Sequence, residues 1–83
     1  RVVLFDEPAA GLDSTETAEL GGLLRRVRDR GTGVLLIDHD MDLVLEVCDR
    51  IYVLDFGRII ASGAPSAIRA DQKVIDAYLG APA

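Results

Sequence analysis

The sequence holds a single cysteine, Cys48, so neither a disulfide framework nor a zinc cluster is available to it. In a helical pattern among apolar neighbours, Cys48 is expected to be an inert core residue, and a reducing, cytoplasmic setting fits. Long apolar runs are missing too: the longest are four residues, as in Val2 to Phe5 and Val34 to Ile37. A membrane helix needs about 20, so nothing here is expected to cross a bilayer. There is no visible targeting signal, internal repeat, low-complexity stretch or dividing linker. Positive charge is in deficit, with a formal net charge of −5, which argues against a nucleic-acid or anionic-membrane surface as the main contact. Nor does any stretch read Gly-x-x-x-x-Gly-Lys-Ser/Thr, the loop that cradles nucleotide phosphates. What is present is 83 residues, 49% of them hydrophobic, the composition of one small soluble unit. A chain of this size buries only about 60–65% of its unfolded surface, so it is expected to be marginal without partners.

The hydrophobic pattern predicts an α/β chain. Val2 to Phe5 lacks polar alternation, the pattern of a strand buried on both faces of a parallel sheet. From Ser14 to Arg30, Leu20, Leu23, Leu24 and Val27 recur at helical spacing, with Asp13 and Glu16 as a capping box and Gly31 as the stop. Gly21-Gly22 breaks helix propensity without an evident reason. Gly33 to Asp38 reads as a second strand, Asp40 caps a helix from Met41 to Asp49, and Ile51 to Asp55 returns to strand. Phe56-Gly57 turns the chain into an antiparallel edge hairpin with Arg58 to Ser62. Gly63, Pro65 and Ser66 open a short helix, and Asp71 caps a last one ending at Leu79-Gly80.

Polar residues gather at two strand ends. In open α/β sheets ligands bind beyond the carboxyl ends of the strands, where Asp6 and Glu7 stand. Alternation along a strand points the two carboxylates to opposite faces, and Pro8 is expected to end the strand and hold Glu7 extended. A hydrophobic strand ending in an acid is how phosphoryl-transfer enzymes hold Mg²⁺, usually through water, and a second acid can orient or deprotonate a nucleophilic water. These residues alone are equally compatible with a solvated strand end. The second strand ends in Asp38-His39-Asp40, which brings His39 within reach of the same crevice. A histidine there can donate to a phosphate or hold a water, though a lone histidine at a helix start is also an ordinary surface residue. Two other signals are discounted. Asp55-Phe56-Gly57 spells the kinase magnesium motif but sits at a hairpin turn without a catalytic loop before it. Arg25, Arg26, Arg28 and Arg30, interrupted by Asp29, read as a solvated helix face.

Together these residues carry a resemblance. Val2 to Pro8 resembles the Walker B motif and catalytic glutamate of ATP-binding cassette (ABC) ATPases. Ala10 to Asp13 resembles their D-loop, Ile37 to Asp40 their switch-histidine segment, and Cys48 to Leu54 with Gly57-Arg58 and Gly63 to Pro65 the strands and hairpin that follow. Val74 to Gly80 resembles the C-terminal extension of ATPases serving branched-chain amino-acid importers, an ending shared by relatives handling urea or lipopolysaccharide.

The resemblance implies a partial P-loop NTPase fold: a parallel βαβαβ arrangement with an edge β-hairpin and C-terminal helices, lacking the P-loop strand. Residues 1–65 would be the C-terminal part of the ATPase domain and 66–83 the helical extension. ATP and Mg²⁺ would be the cofactors. Asp6 would hold Mg²⁺ through water, Glu7 would polarise the attacking water, and His39 would contact the γ-phosphate. Asp13 would lie at a dimer interface and couple the two ATP sites. Implied partners are a second ATPase subunit, identical or related, transmembrane permease subunits and, indirectly, a substrate-binding protein, with no nucleic acid. The location would be cytoplasmic, peripheral on the inner face of the cell membrane. Alternatives are the same ATPase with urea or lipopolysaccharide cargo, a soluble ABC ATPase of translation or DNA repair, and a non-catalytic remnant.

The P-loop, the Q-loop and the Leu-Ser-Gly-Gly-Gln signature precede Walker B in that family and are missing here, so the sequence reads as a C-terminal fragment. The 83-residue chain alone is therefore expected to be poorly stable, with a gap in its sheet, and inactive toward ATP. A sharp, cooperative thermal transition of the purified monomer, or ATP turnover that vanishes in Glu7→Gln, would contradict this.

Overall fold

A computed structural model describes residues 1–79 of the chain. Gly80, expected at the end of the last helix, lies outside the described residues. The chain divides into two compact units, Arg1–Val47 and the segment from Cys48 onward.

The first unit is a βαβα arrangement: β1 (Val2–Asp6), α1 (Ser14–Asp29), β2 (Gly33–Ile37) and α2 (Met41–Val47). β1 and β2 pair in parallel, with Val2 opposite Gly33 and Asp6 opposite Ile37. α1 begins at the predicted capping box: Asp13 Oδ1 accepts from the Glu16 amide at 2.8 Å, and Glu16 Oε1 accepts from the Asp13 amide at 3.1 Å. It closes at Arg30, and Gly31 then turns the chain at φ +90°. Leu24, Leu43, Val47 and Ala9 are buried together, and Phe5, Leu20 and Leu36 pack against them. Truncating a leucine so enclosed costs about 2–5 kcal/mol.

Burial of β1 and β2 on both faces is not what the structure shows. Phe5 and Leu36 turn toward the helices, whereas Val2, Leu4, Leu35 and Ile37 are exposed, Val2 by 74%. Continuous hydrophobicity records which strands are apolar on both faces, but only one face of this pair meets the helices of its unit.

α2 is shorter than its pattern predicts and ends at Val47, where Arg28 Nη1 donates to the Val47 carbonyl at 2.6 Å. A guanidinium that caps a helix carbonyl competes with another helical turn. Arg28 is thus part of the framework and not only of a solvated face. Arg25 lies on that face and pairs with Glu46 at 3.6 Å. Cys48 lies just past α2 and is half-buried.

The second unit comprises β3 (Ile51–Asp55), β4 (Arg58–Gly63), α3 (Pro65–Ala70), α4 (Gln72–Val74) and a π-helical turn over Ile75–Leu79. β3 pairs with β4 in antiparallel register, and among the described residues the strands form two two-stranded sheets, β1 with β2 and β3 with β4. Phe56 and Gly57 take φ of +50° and +75°, the two left-handed residues of a type I′ hairpin. That accounts for Asp55-Phe56-Gly57 as a turn, with Phe56 98% exposed at its tip. A register shift between Val53 and Leu54 leaves Ile60 without a cross-strand partner, since Ala61 faces Val53 and Ile59 faces Leu54. Ile51, Val53, Ile68 and Val74 are buried, and the Tyr78 hydroxyl donates to the Leu54 carbonyl. Pro65 opens α3 at its first position, and Asp71 Oδ1 accepts from the Lys73 amide at 2.9 Å.

The structure also explains half of the glycine pair in α1. A Cβ on Gly21 would lie 3.2 Å from Glu46 Oε2, the movable end of an exposed side chain, and 3.4 Å from Leu43 Cδ1, so a methyl needs only a small shift of Glu46 whereas a larger side chain meets the buried Leu43. A Cβ on Gly22 would meet only Arg26 Nη1, at 3.7 Å. Gly22→Ala should therefore stabilise α1 by up to about 1 kcal/mol, slowing its amide hydrogen exchange about fivefold. Gly21→Leu should overpack the helix contact and cost about 1–3 kcal/mol, speeding exchange. Equal responses at the two positions would show that helix propensity alone governs both.

Candidate functional site

The candidate site forms where β1 and β2 end side by side. The ladder runs one bond past Asp6, because the Glu7 amide donates to the Ile37 carbonyl at 2.6 Å. The chain then turns, with Ala10 N–H donating to the Glu7 carbonyl at 3.1 Å and Leu12 N–H to the Ala9 carbonyl at 3.0 Å. Glu7 itself sits at φ +49°, in the left-handed region. This corrects the expectation that Pro8 holds it extended. The ladder bond and the turn bond on either side of its Cα override the local preference set by the proline. A non-glycine residue there carries about 1–3 kcal/mol of backbone strain.

The consequence is a contact. Glu7 Oε1 and His39 Nδ1 lie 2.8 Å apart, so Nδ1–H donates to the carboxylate and Nε2 is left for another partner. Both side chains are exposed, His39 by 76%. Behind them Asp38 is dry: its side chain is 1% exposed, and its two oxygens accept from the Ala9 amide at 3.2 Å and the Asp40 amide at 2.9 Å. Asp38 Oδ1 stands 3.8 Å from His39 Nδ1, close enough to act as a charge but too far for a hydrogen bond. Asp40 opens α2 by accepting from the Leu43 amide at 3.2 Å.

The structure thus joins Glu7 and His39, two of the four residues singled out from the sequence. Asp6 is exposed at the end of β1, beside Glu7 in sequence. Asp13 is engaged elsewhere, capping α1 through Glu16. Asp38 drew no role from the sequence. The signal that could have found it is the Asp-x-Asp spacing, in which an aspartate binds the amide two residues on; its burial and its reach to Ala9 have no sequence signature.

The Glu7 hydrogen bond, and after it the Glu7 charge, raises the His39 pKa above its ordinary value near 6.5. Desolvation comes next and opposes the shift, followed by smaller contributions from Asp38 and Asp40 that again raise it. Because the folded-state value is the higher, the stabilisation is fully present below about pH 6.5 and is lost as pH rises through the raised value.

Sequence comparison bears on what such a site belongs to. The family profile described as "Branched-chain amino acid ATP-binding cassette transporter" matches residues 58–83. The high-affinity branched-chain amino acid transport ATP-binding protein LivG of Escherichia coli (strain K12) is 49% identical over 80 residues, 95% of this chain and 31% of LivG. The chain belongs to the ABC ATPases. The lipopolysaccharide export system ATP-binding protein LptB of Haemophilus influenzae is 39% identical over 96% of this chain and 33% of its own length. Among solved structures, cbiO1 from Clostridium perfringens, part of the ABC transporter complex cbiONQ, superposes with a TM-score of 0.76. It is 35% identical and covers 92% of this chain and 31% of cbiO1, so the fold is that of part of an ABC ATPase domain. The chain spans about a third of the length of the curated relatives it matches, at 31% for LivG. Among the described residues of this ABC ATPase chain, no helix is long and apolar enough to cross a membrane.

His39 is the sole histidine, so its ring protons titrate without overlap in an NMR spectrum. Glu7→Gln removes the main cause of the raised pKa, and the midpoint should fall back toward about 6.5. An unchanged midpoint would mean that the Glu7–His39 contact is not populated in solution.

Proposed function

We propose that this chain is the hydrolysis-side part of a transport ATPase that powers branched-chain amino-acid uptake. The observation that carries the reading is the Glu7–His39 pair, 2.8 Å apart at the carboxyl ends of two parallel strands. Supporting it is the 49% identity to LivG across nearly all of this chain.

In this reading ATP is hydrolysed to ADP and phosphate. Glu7 takes the role of general base, orienting and polarising the water that attacks the γ-phosphate. His39, fixed through Nδ1 by Glu7, presents Nε2 toward the γ-phosphate and the water. Asp6 is an exposed hard-oxygen donor one residue from Glu7, which suits Mg²⁺ held through water. The ion supplies neutralisation of phosphate charge. Asp13, at the head of α1, takes the dimer-interface role, where two ATPase subunits meet around two nucleotides. The phosphate cradle and the signature motif belong to other parts of the domain, so the 83 residues alone are inactive. Residues 1–65 form the ATPase part and 66–83 the extension. The subunit works in the cytoplasm, bound peripherally to permease subunits that a substrate-binding protein supplies.

A second cargo is favoured by one observation, the 39% identity to LptB, a lipopolysaccharide export protein. The two cargoes part in a transport assay. The intact ATPase assembled with its permease should drive leucine uptake into proteoliposomes, and Glu7→Gln should still bind ATP while losing about 10²- to 10⁴-fold in hydrolysis. Hydrolysis that survives Glu7→Gln would overturn the catalytic assignment; extraction of lipopolysaccharide in place of leucine uptake would move the cargo to the second reading.

A further inference from the structure

We infer that Asp38 is a positioning residue for hydrolysis, holding Glu7 and His39 in register through a buried carboxylate that fastens both of their loops. The inference rests on the hydrolytic reading above.

The geometry is that of a clamp. The Asp38 side chain is 1% exposed, and both of its oxygens are used. Oδ2 accepts from Ala9, two residues past Glu7 and 29 positions away from Asp38 in the chain. Oδ1 accepts from Asp40, the residue after His39. One side chain thus ties the loop after β1 to the turn after β2, two residues beyond Glu7 and one beyond His39. A carboxylate this dry must have its lone pairs satisfied, and two amide donors satisfy it while being held in turn by charge-assisted bonds.

The clamp matters because Glu7 is strained. Its φ of +49° persists only if the surrounding bonds hold it. Three of the bonds that fix this loop are the Glu7 amide on Ile37 O, the Ala10 amide on Glu7 O and the Ala9 amide on Asp38. Only the last of these three uses a side chain. Loss of the Asp38 carboxylate frees the loop at Ala9 and lets Glu7 relax toward the extended geometry that Pro8 favours, away from His39. A purely local Asx turn at the start of α2 would need only the Asp40 bond; the Ala9 bond goes beyond that role. Asparagine keeps one acceptor oxygen and sets an NH₂ group against the other amide, so it can serve one loop and not both.

The test is steady-state ATPase kinetics of the intact enzyme with Asp38→Ala, Asp38→Asn, Glu7→Gln and, as a control on the exposed first turn of α2, Asp42→Asn. Asp38→Ala is expected to lower kcat about 100-fold, because a displacement of about 1 Å at the reacting groups has that effect. KM for ATP should stay within about threefold, since the interaction lost serves the transition state and not binding. Asp38→Asn should fall between wild type and alanine, and Asp42→Asn should match wild type. If Asp38→Ala does not fold, Asp38→Asn decides alone: kcat at least about tenfold down with KM unchanged supports the clamp. Wild-type kcat in the Asp38 variants, or a loss of activity that only tracks the loss of folded protein, overturns it. Wild-type kcat in Glu7→Gln would instead overturn the hydrolytic reading on which the clamp rests, whereas an inactive Glu7→Gln beside fully active Asp38 variants would overturn the clamp alone.

Discussion

The register of one parallel ladder governs this site. With Asp6 facing Ile37, the residues that follow leave the sheet side by side, and a Glu7 side chain can meet a His39 side chain although 32 positions separate them. A slip of one residue would turn the apolar side chains of a strand to the opposite face and undo the packing of Phe5 and Leu36 on Leu24, Leu43 and Val47. The hydrophobic layer and the polar site are therefore consequences of the same alignment. The helices fix the ladder from one side, and the ladder delivers the polar residues at its end.

The site uses its carboxylates in two regimes. Asp38 is dry, and its interactions act in a low-dielectric setting where an unmet charge would be costly. Glu7 and His39 are wet, and a solvent-exposed pair of this kind adds little to folding stability. Their contact is better understood as orientation: it fixes the imidazole tautomer and leaves Nε2 for a ligand. Rigidity is placed in the buried Asp38 carboxylate behind the pair, while Glu7 and His39 themselves stay accessible to solvent.

Much of this was legible in the sequence, for identifiable reasons. The Asp13–Glu16 capping box, the Asp40 cap, the Phe56-Gly57 turn and Pro65 at a helix start are local devices, and local chemistry is what a sequence displays. The meeting of Glu7 and His39 followed from strand ends in consecutive βα units. Three features were hidden because they depend on distant atoms. The left-handed backbone of Glu7 is imposed by Ile37 across the ladder, against the local influence of Pro8. The early end of α2 is tied to Arg28 on another helix. The limited room at Gly21 arises only where Leu43 and Glu46 of α2 come close.

The handedness of the backbone at Glu7 also limits what can replace it over evolutionary time. A β-branched residue would suffer the full steric penalty of the left-handed region, so valine, isoleucine and threonine are poor substitutes whatever their side chains might do. Asparagine and aspartate suit that backbone better but are one methylene too short to meet His39 as glutamate does. Glycine relieves the strain and removes the side chain altogether. The position is thus under two independent filters, one on reach and one on chirality. Few residues besides glutamate combine tolerance of this backbone with a carboxylate that reaches His39.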